Sequence, residues 1–116
     1  MRILLWHGYL LRGSGSNVYS ANLARTWRAQ GHDVLVLCQE RDPTGLDFID
    51  EIGTFDGTNS RFSLQPGGAD RGPGRCRVVA PFIDGLLPVY VYDEYPGFVV
   101  KTFLDLSDAE LAHYTQ

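Results

Sequence analysis

The chain has 116 residues, of which 44% are hydrophobic and 21% charged, a balance typical of folded globular sequences that excludes disordered and fibrous classes. Its formal net charge of -4 argues against sequence-independent nucleic-acid binding, which needs clustered Lys and Arg to displace counterions from phosphates. Small molecules or proteins are therefore the expected partners, with residues 1–116 forming a single domain.

No apolar run approaches the roughly 20 residues of a membrane-spanning helix. Ile3-Leu4-Leu5-Trp6 is too short for a signal-peptide core, so a cytoplasmic location is expected. Cys38 and Cys76 have neither metal-ligand spacing nor the density of a disulfide scaffold, and both read as reduced structural thiols. No metal is expected.

Arg2 to Trp6 and Val34 to Cys38 are continuous apolar runs, the pattern of strands buried on both faces of a parallel sheet, and each predicts a central strand. Between them Tyr19, Leu23 and Trp27 recur at four-residue spacing, predicting a helix over Val18 to Gln30 with Ser16 or Asn17 as N-cap and Gly31 as its stop. Strand, helix and strand make a right-handed βαβ unit.

Leu46 to Ile52 predicts one or two helical turns, with Asp47, Asp50 and Glu51 solvated around Phe48 and Ile49. Residues 57–75 are rich in Gly, Pro and polar side chains and predict a long flexible loop. Arg77 to Ala80 predicts a third strand and Leu86 to Tyr92 a further extended run, with Asp84-Gly85 as the turn of a hairpin between them. Ser107-Asp108-Ala109-Glu110 is a capping box that opens a helix. With six residues left after Glu110, the chain reads as stopping in mid-fold.

Gly13, Ser14, Gly15 and Ser16 lie between the first strand and the first helix, where ligands bind in open α/β sheets. A helix N-terminus offers unpaired N–H groups and the positive end of the macrodipole, so the loop suits a phosphate or sugar hydroxyls. Gly13 to Val18 carries only two of the three glycines of G-x-G-x-x-G and begins well after the strand, while Glu40 remains a candidate ribose ligand. His7, Arg12, Asn17 and Asp93 are candidate substrate contacts. No catalytic nucleophile or acid partner is identifiable beside His7.

The first strand, the Gly-Ser loop, the helix and Gly31-His32-Asp33-Val34-Leu35-Val36, with Leu87 to Phe98 and Lys101 to Ser107, resemble the N-terminal domain of family-4, GT-B-fold retaining glycosyltransferases. The resemblance leaves Arg41 to Arg75 unmatched. It implies a Rossmann-like, three-layer α/β fold with a parallel sheet, truncated within the acceptor-side domain, and transfer of a sugar from a nucleotide-sugar donor to an acceptor. The nucleotide-sugar is then a substrate and no resident cofactor is implied. Gly13 to Ser16 inherit the family's loop beside acceptor and diphosphate, and the C-terminal GT-B domain has no counterpart in these residues, so the isolated chain is expected to be inactive. Two other readings remain open: a small dinucleotide-binding protein with Glu40 on the ribose, and a non-enzymatic α/β interaction module, dimeric through an open sheet edge.

Overall fold

A computed structural model of the chain describes residues 1–13, 15–55, 58–64, 72–81, 85–89, 94–95 and 97–115. It divides into two compact units, Met1–Pro81 and Phe82–Gln116.

The first unit runs β1 (Arg2–Trp6), α1 (Ser16–Ala29), β2 (Asp33–Leu37), β3 (Glu51–Phe55), β4 (Ser60–Leu64) and β5 (Arg75–Pro81). The strands form one sheet in the order β1-β2-β5-β3-β4. β1, β2, β5 and β3 are parallel neighbours, whereas β4 pairs antiparallel with β3, Glu51 opposite Leu64 and Phe55 opposite Ser60. The fold is α/β with a mixed sheet, not the fully parallel one expected. The short link between β3 and β4 explains the difference, since adjacent antiparallel strands need only a turn and parallel ones a crossover.

Side chains alternate across each strand, so Ile3, Leu5, Val34, Val36, Cys76 and Val78 share one face of the sheet. α1 packs on that face, where Ala24, Val34, Val36 and Cys76 are 0% exposed. Burying each of these valines stabilises the fold by about 1.5–3 kcal/mol. The helix turns Asn17, Ser20, Ala21 and Ala24 inward, while Trp27 packs against the core from its margin. Small residues let α1 approach closely. A Cβ added at Gly74 would lie 1.9 Å from the Arg28 carbonyl oxygen, so glycine there is a steric requirement.

The last turn of α1 is anchored by Arg28, whose Nε and Nη2 each donate to an Asp50 carboxylate oxygen at 2.8 Å. The same carboxylate accepts from the Cys76 N–H at 2.7 Å, tying helix, loop and β5 together. Asp50 is 0% exposed, contrary to its expected place in solvent. The helical turn expected at Leu46 to Ile52 is instead irregular chain leading into β3, with Phe48 and Ile49 buried in the core. Their burial against the sheet, not a helical period, sets the apolar spacing.

Several other expectations are corrected. β1 is an edge strand, not a central one: Leu4 and Trp6 are 63% and 78% exposed. Tyr19 is exposed instead of lining the core, because the inward stripe is set by the smaller residues one or two positions further on. Within 57–75, Ser60–Leu64 is β4, a strand held by its pairing to β3 despite its polar sequence.

The second unit comprises β6 (Leu86–Val89), β7 (Val99–Thr102), a 3-10 turn at Phe103–Asp105 and α2 (Asp108–Tyr114). β6 pairs with β7 in parallel, in a two-stranded sheet, and the turn of the hairpin expected about Asp84-Gly85 falls in part outside the described residues. Asp84 itself lies outside the described residues. The capping box is present as expected: Ser107 Oγ accepts from the Glu110 N–H and the Glu110 carboxylate accepts from the Ser107 N–H. No residue of α2 is buried. Among the described residues, no helix is long and apolar enough to cross a membrane.

Candidate functional site

Four parallel strands put their carboxyl ends along one edge of the first unit's sheet, at Trp6, Leu37, Pro81 and Phe55. In open α/β sheets this edge is where ligands bind. Two segments beyond it carry the candidate residues: His7 to Gly15 leads into α1, and Cys38 to Asp42 follows β2.

Backbone pairing continues past the strands. The His7 N–H donates to the Leu37 carbonyl at 2.9 Å and the Gln39 N–H to the Tyr9 carbonyl at 2.7 Å. Gln39 Nε2 also donates to the Pro81 carbonyl at 3.0 Å, binding this segment to the end of β5. The loop is thus a built structure and not a tether.

Glu40 completes it. Its carboxylate accepts from the Leu11 N–H at 3.0 Å and from the Asp42 N–H at 3.4 Å, and it is 9% exposed. A carboxylate so engaged has a structural task that a ribose would have to displace. Arg12, a candidate substrate contact, likewise donates to the carbonyls of Asp42 and Thr44, each at 2.6 Å. Asp42 in turn accepts from the Thr44 hydroxyl, which holds its carboxyl below the usual range. The Arg12 side chain therefore braces the 41–45 turn.

His7 and Asn17 are brought together. Asn17 Nδ2 donates to the Arg12 carbonyl at 2.7 Å, which fixes the amide so that Oδ1 faces His7 Nε2 at 2.9 Å. An amide oxygen can only accept, so Nε2 carries the proton and a neutral His7 has Nδ1 as its acceptor. Both side chains are buried. The Tyr9 ring stands edge-on to His7 with centroids 5.7 Å apart.

The N-cap of α1 is Gly15, where Ser16 or Asn17 was expected, and no side chain caps the helix. Asn17 is turned inward to His7 and the loop instead. Gly15 has φ 56 and ψ -123, a conformation that side-chain-bearing residues rarely adopt, and nothing lies within 4 Å of where its Cβ would be. Gly13, with φ 105, supplies the preceding bend. Ser16 is exposed and the first turn holds no acidic residue. Among the described residues the helix thus has neither a side-chain cap nor an acid in its first turn, an electrostatic opening suited to a negatively charged or hydroxyl-rich ligand. Ser14 and Asp93, two further candidates, lie outside the described residues.

Cys38 and Cys76 are free and buried, and burial pushes both thiols up to about 12. They remain protonated and unreactive at neutral pH. Among the described residues no group of three or more His, Cys, Asp or Glu could hold a metal ion. The second unit has its own groove of about 390 Å³, lined by Leu86, Val99, Ala109, Glu110 and His113. Glu110 there is already paired with Lys101 Nζ at 2.6 Å.

The glycines, His7 and Asn17 were legible in the sequence as a loop cluster. The bracing by Gln39, Glu40 and Arg12 was not, because nothing in local spacing announces a side chain bonded to backbone 29 to 42 residues away. No family model, curated protein or solved structure matches this chain.

Proposed function

We propose that the chain is the N-terminal, acceptor-side part of a glycosyltransferase that moves a sugar from a nucleotide-sugar donor to an acceptor, its first unit being the start of a Rossmann-like domain. The observation that carries this reading is the uncapped N-terminus of α1, open at Gly15 and placed at the carboxyl edge of the sheet. Sugar transfer leaves a nucleoside diphosphate whose growing charge must be stabilised. The first turn of α1 offers that stabilisation in part, through N–H groups and the helix dipole.

His7 has a complementary role. With Nε2 bonded to Asn17, Nδ1 accepts a hydrogen bond from a sugar or acceptor hydroxyl and orients it. Asn17 holds the ring in that state. Neither group is a nucleophile, so the remaining stabilisation comes from a second wall supplied elsewhere in the active protein, and the chain alone is inactive.

A dinucleotide-binding reading is less well supported, because Glu40, its ribose ligand, already holds the Leu11 and Asp42 amides. The test is a titration of the ¹⁵N-labelled chain with uridine-diphosphate glucose, guanosine-diphosphate mannose and NAD in turn. A sugar nucleotide is expected to shift the amides of Gly13, Gly15 and Ser16 at millimolar concentration. Submicromolar binding of NAD overturns the proposal, as does the absence of any response to either sugar nucleotide.

A further inference from the structure

Glu40 is buried at 9% exposure, yet none of the ion pairs among the described residues includes it. A carboxylate out of water is costly unless it is hydrogen-bonded, and this one is bonded to backbone. It accepts from the Leu11 N–H at 3.0 Å and from the Asp42 N–H at 3.4 Å. Leu11 is itself buried, with 2% exposure, so its N–H depends on the carboxylate for a partner.

What this bond holds in place is the next residue. The Arg12 carbonyl accepts from Asn17 Nδ2 at 2.7 Å, and Asn17 Oδ1 lies 2.9 Å from His7 Nε2. The two ends of an amide are alike in size, but one donates and the other accepts. Packing cannot tell them apart, so the Arg12 carbonyl decides which end meets His7. Were that carbonyl withdrawn, the amide could turn over and offer Nδ2 to the ring. Nε2 would then have to accept, and the ring proton would move to Nδ1. His7 Nδ1 makes no hydrogen bond among the described residues and, unlike Arg77 Nε, is not closed off from solvent. Its character is what the amide sets.

We infer that Glu40 is a positioning residue for His7. By holding Leu11 it fixes in turn the Arg12 carbonyl, the Asn17 amide and the tautomer of His7, and so keeps Nδ1 a bare acceptor. The consequence is selective. A bare imidazole nitrogen takes a hydroxyl or N–H of a ligand and is repelled by the oxygens of a phosphate or carboxylate. This role rests on the reading of His7 as the contact to a substrate hydroxyl, and it leaves the anionic group of the same ligand to the first turn of α1.

The ring protons provide the test, with no sugar or nucleotide present. In the ¹⁵N-labelled 116-residue chain, His7 is expected to show a protected proton on Nε2 and none on Nδ1, identified by its loss in His7→Gln. Asn17→Ala removes the acceptor, and the Nε2 proton is expected to exchange at least about tenfold faster, as the loss of one hydrogen bond implies. Glu40→Ala leaves Asn17 and His7 intact and is expected to do the same. Glu40→Gln keeps an oxygen for the Leu11 N–H and is expected to restore the protection. If Glu40→Ala folds poorly, Glu40→Asp, one methylene short of the Leu11 N–H, gives the same displacement in milder form. A carboxylate that only stiffened the loop would lower the melting temperature in Glu40→Ala and leave the His7 proton as it was. That result overturns the assignment, as does a ring protonated on Nδ1 alone, an Nε2 proton indifferent to Asn17→Ala, or Glu40→Gln behaving as Glu40→Ala does. A chain that failed to respond to sugar nucleotides would still show these ring signals, and that failure would count against the sugar-transfer reading alone.

Discussion

The two α-helices begin in opposite ways. α2 closes its own N-terminus with a reciprocal Ser107–Glu110 capping box and puts Asp108 and Glu110 in its first turn. α1 starts at a bare glycine, has no side-chain cap and no acid in its first turn. Their burial is reversed too: α1 has four buried residues and α2 none. A short, exposed helix depends on local bonds because nucleation is unfavourable. A helix pinned to a sheet can leave its N-terminus unmatched, and α1 does so at the edge where a ligand would arrive.

If tertiary anchoring is what holds α1, breaking the anchor gives the largest effect. Asp50→Ala leaves the nearly buried Arg28 guanidinium and the Cys76 N–H without their carboxylate, and is expected to destabilise the first unit by about 3–5 kcal/mol, read from chemical denaturation. Next comes Gly74→Ala. Its Cβ would collide with backbone of the last turn of α1, and the resulting shift is expected to cost about 1–3 kcal/mol, as overpacking does.

The corresponding change in α2 is smaller and local. Ser107→Ala removes the cap and is expected to cost about 1 kcal/mol, seen as faster amide exchange over Asp108–Tyr114 with the first unit unaffected. Acid has a related effect. The Lys101 hydrogen bond, with help from the Ser107 N–H, holds Glu110 down to about 2. A carboxyl lowered in the folded state contributes stability that is present above its unfolded value and lost as pH falls through the folded one. The amides of α2 are thus expected to stay protected at pH 5 and to lose protection between about pH 4 and about pH 2.

The smallest change in stability is the most informative about α1. Ser16→Asp gives it the first-turn acid that α2 already has, and is expected to stabilise it by about 0.3–1 kcal/mol. The same charge repels an incoming diphosphate, so sugar-nucleotide shifts at Gly13 and Gly15 should weaken while the melting temperature rises. A fall in both would show that Ser16 contributes only to structure.

Only the α2 half of this contrast was legible in the sequence, since Ser16 or Asn17 was expected to cap α1 and neither does. The capping box announced α2 because its bonds span only three residues. β2 and β5 were visible as apolar runs, since both are interior strands. β1 looked the same but is an edge strand, because hydropathy records what a strand could bury and not which neighbours it has. β4 was read as loop, because the short alternation of Phe62 and Leu64 with Arg61 and Ser63 sits inside a Gly-, Pro- and polar-rich stretch that outweighed it. At the site, the glycines stood out, while the fixed amide of Asn17 and the backbone bonds of Glu40 depend on contacts distant in sequence.

β5 is the last strand of its unit in sequence but the middle strand of the sheet. β3 and β4 are sequence neighbours, and a hairpin of that kind forms within about 1–10 μs. It nevertheless has no strand-to-strand link to β2 until Arg75–Pro81 enters between them. Such non-local insertion slows folding. On a ribosome the β1–α1–β2 segment would emerge with one side of β2 unpaired, awaiting β5 before the two halves of the sheet could join.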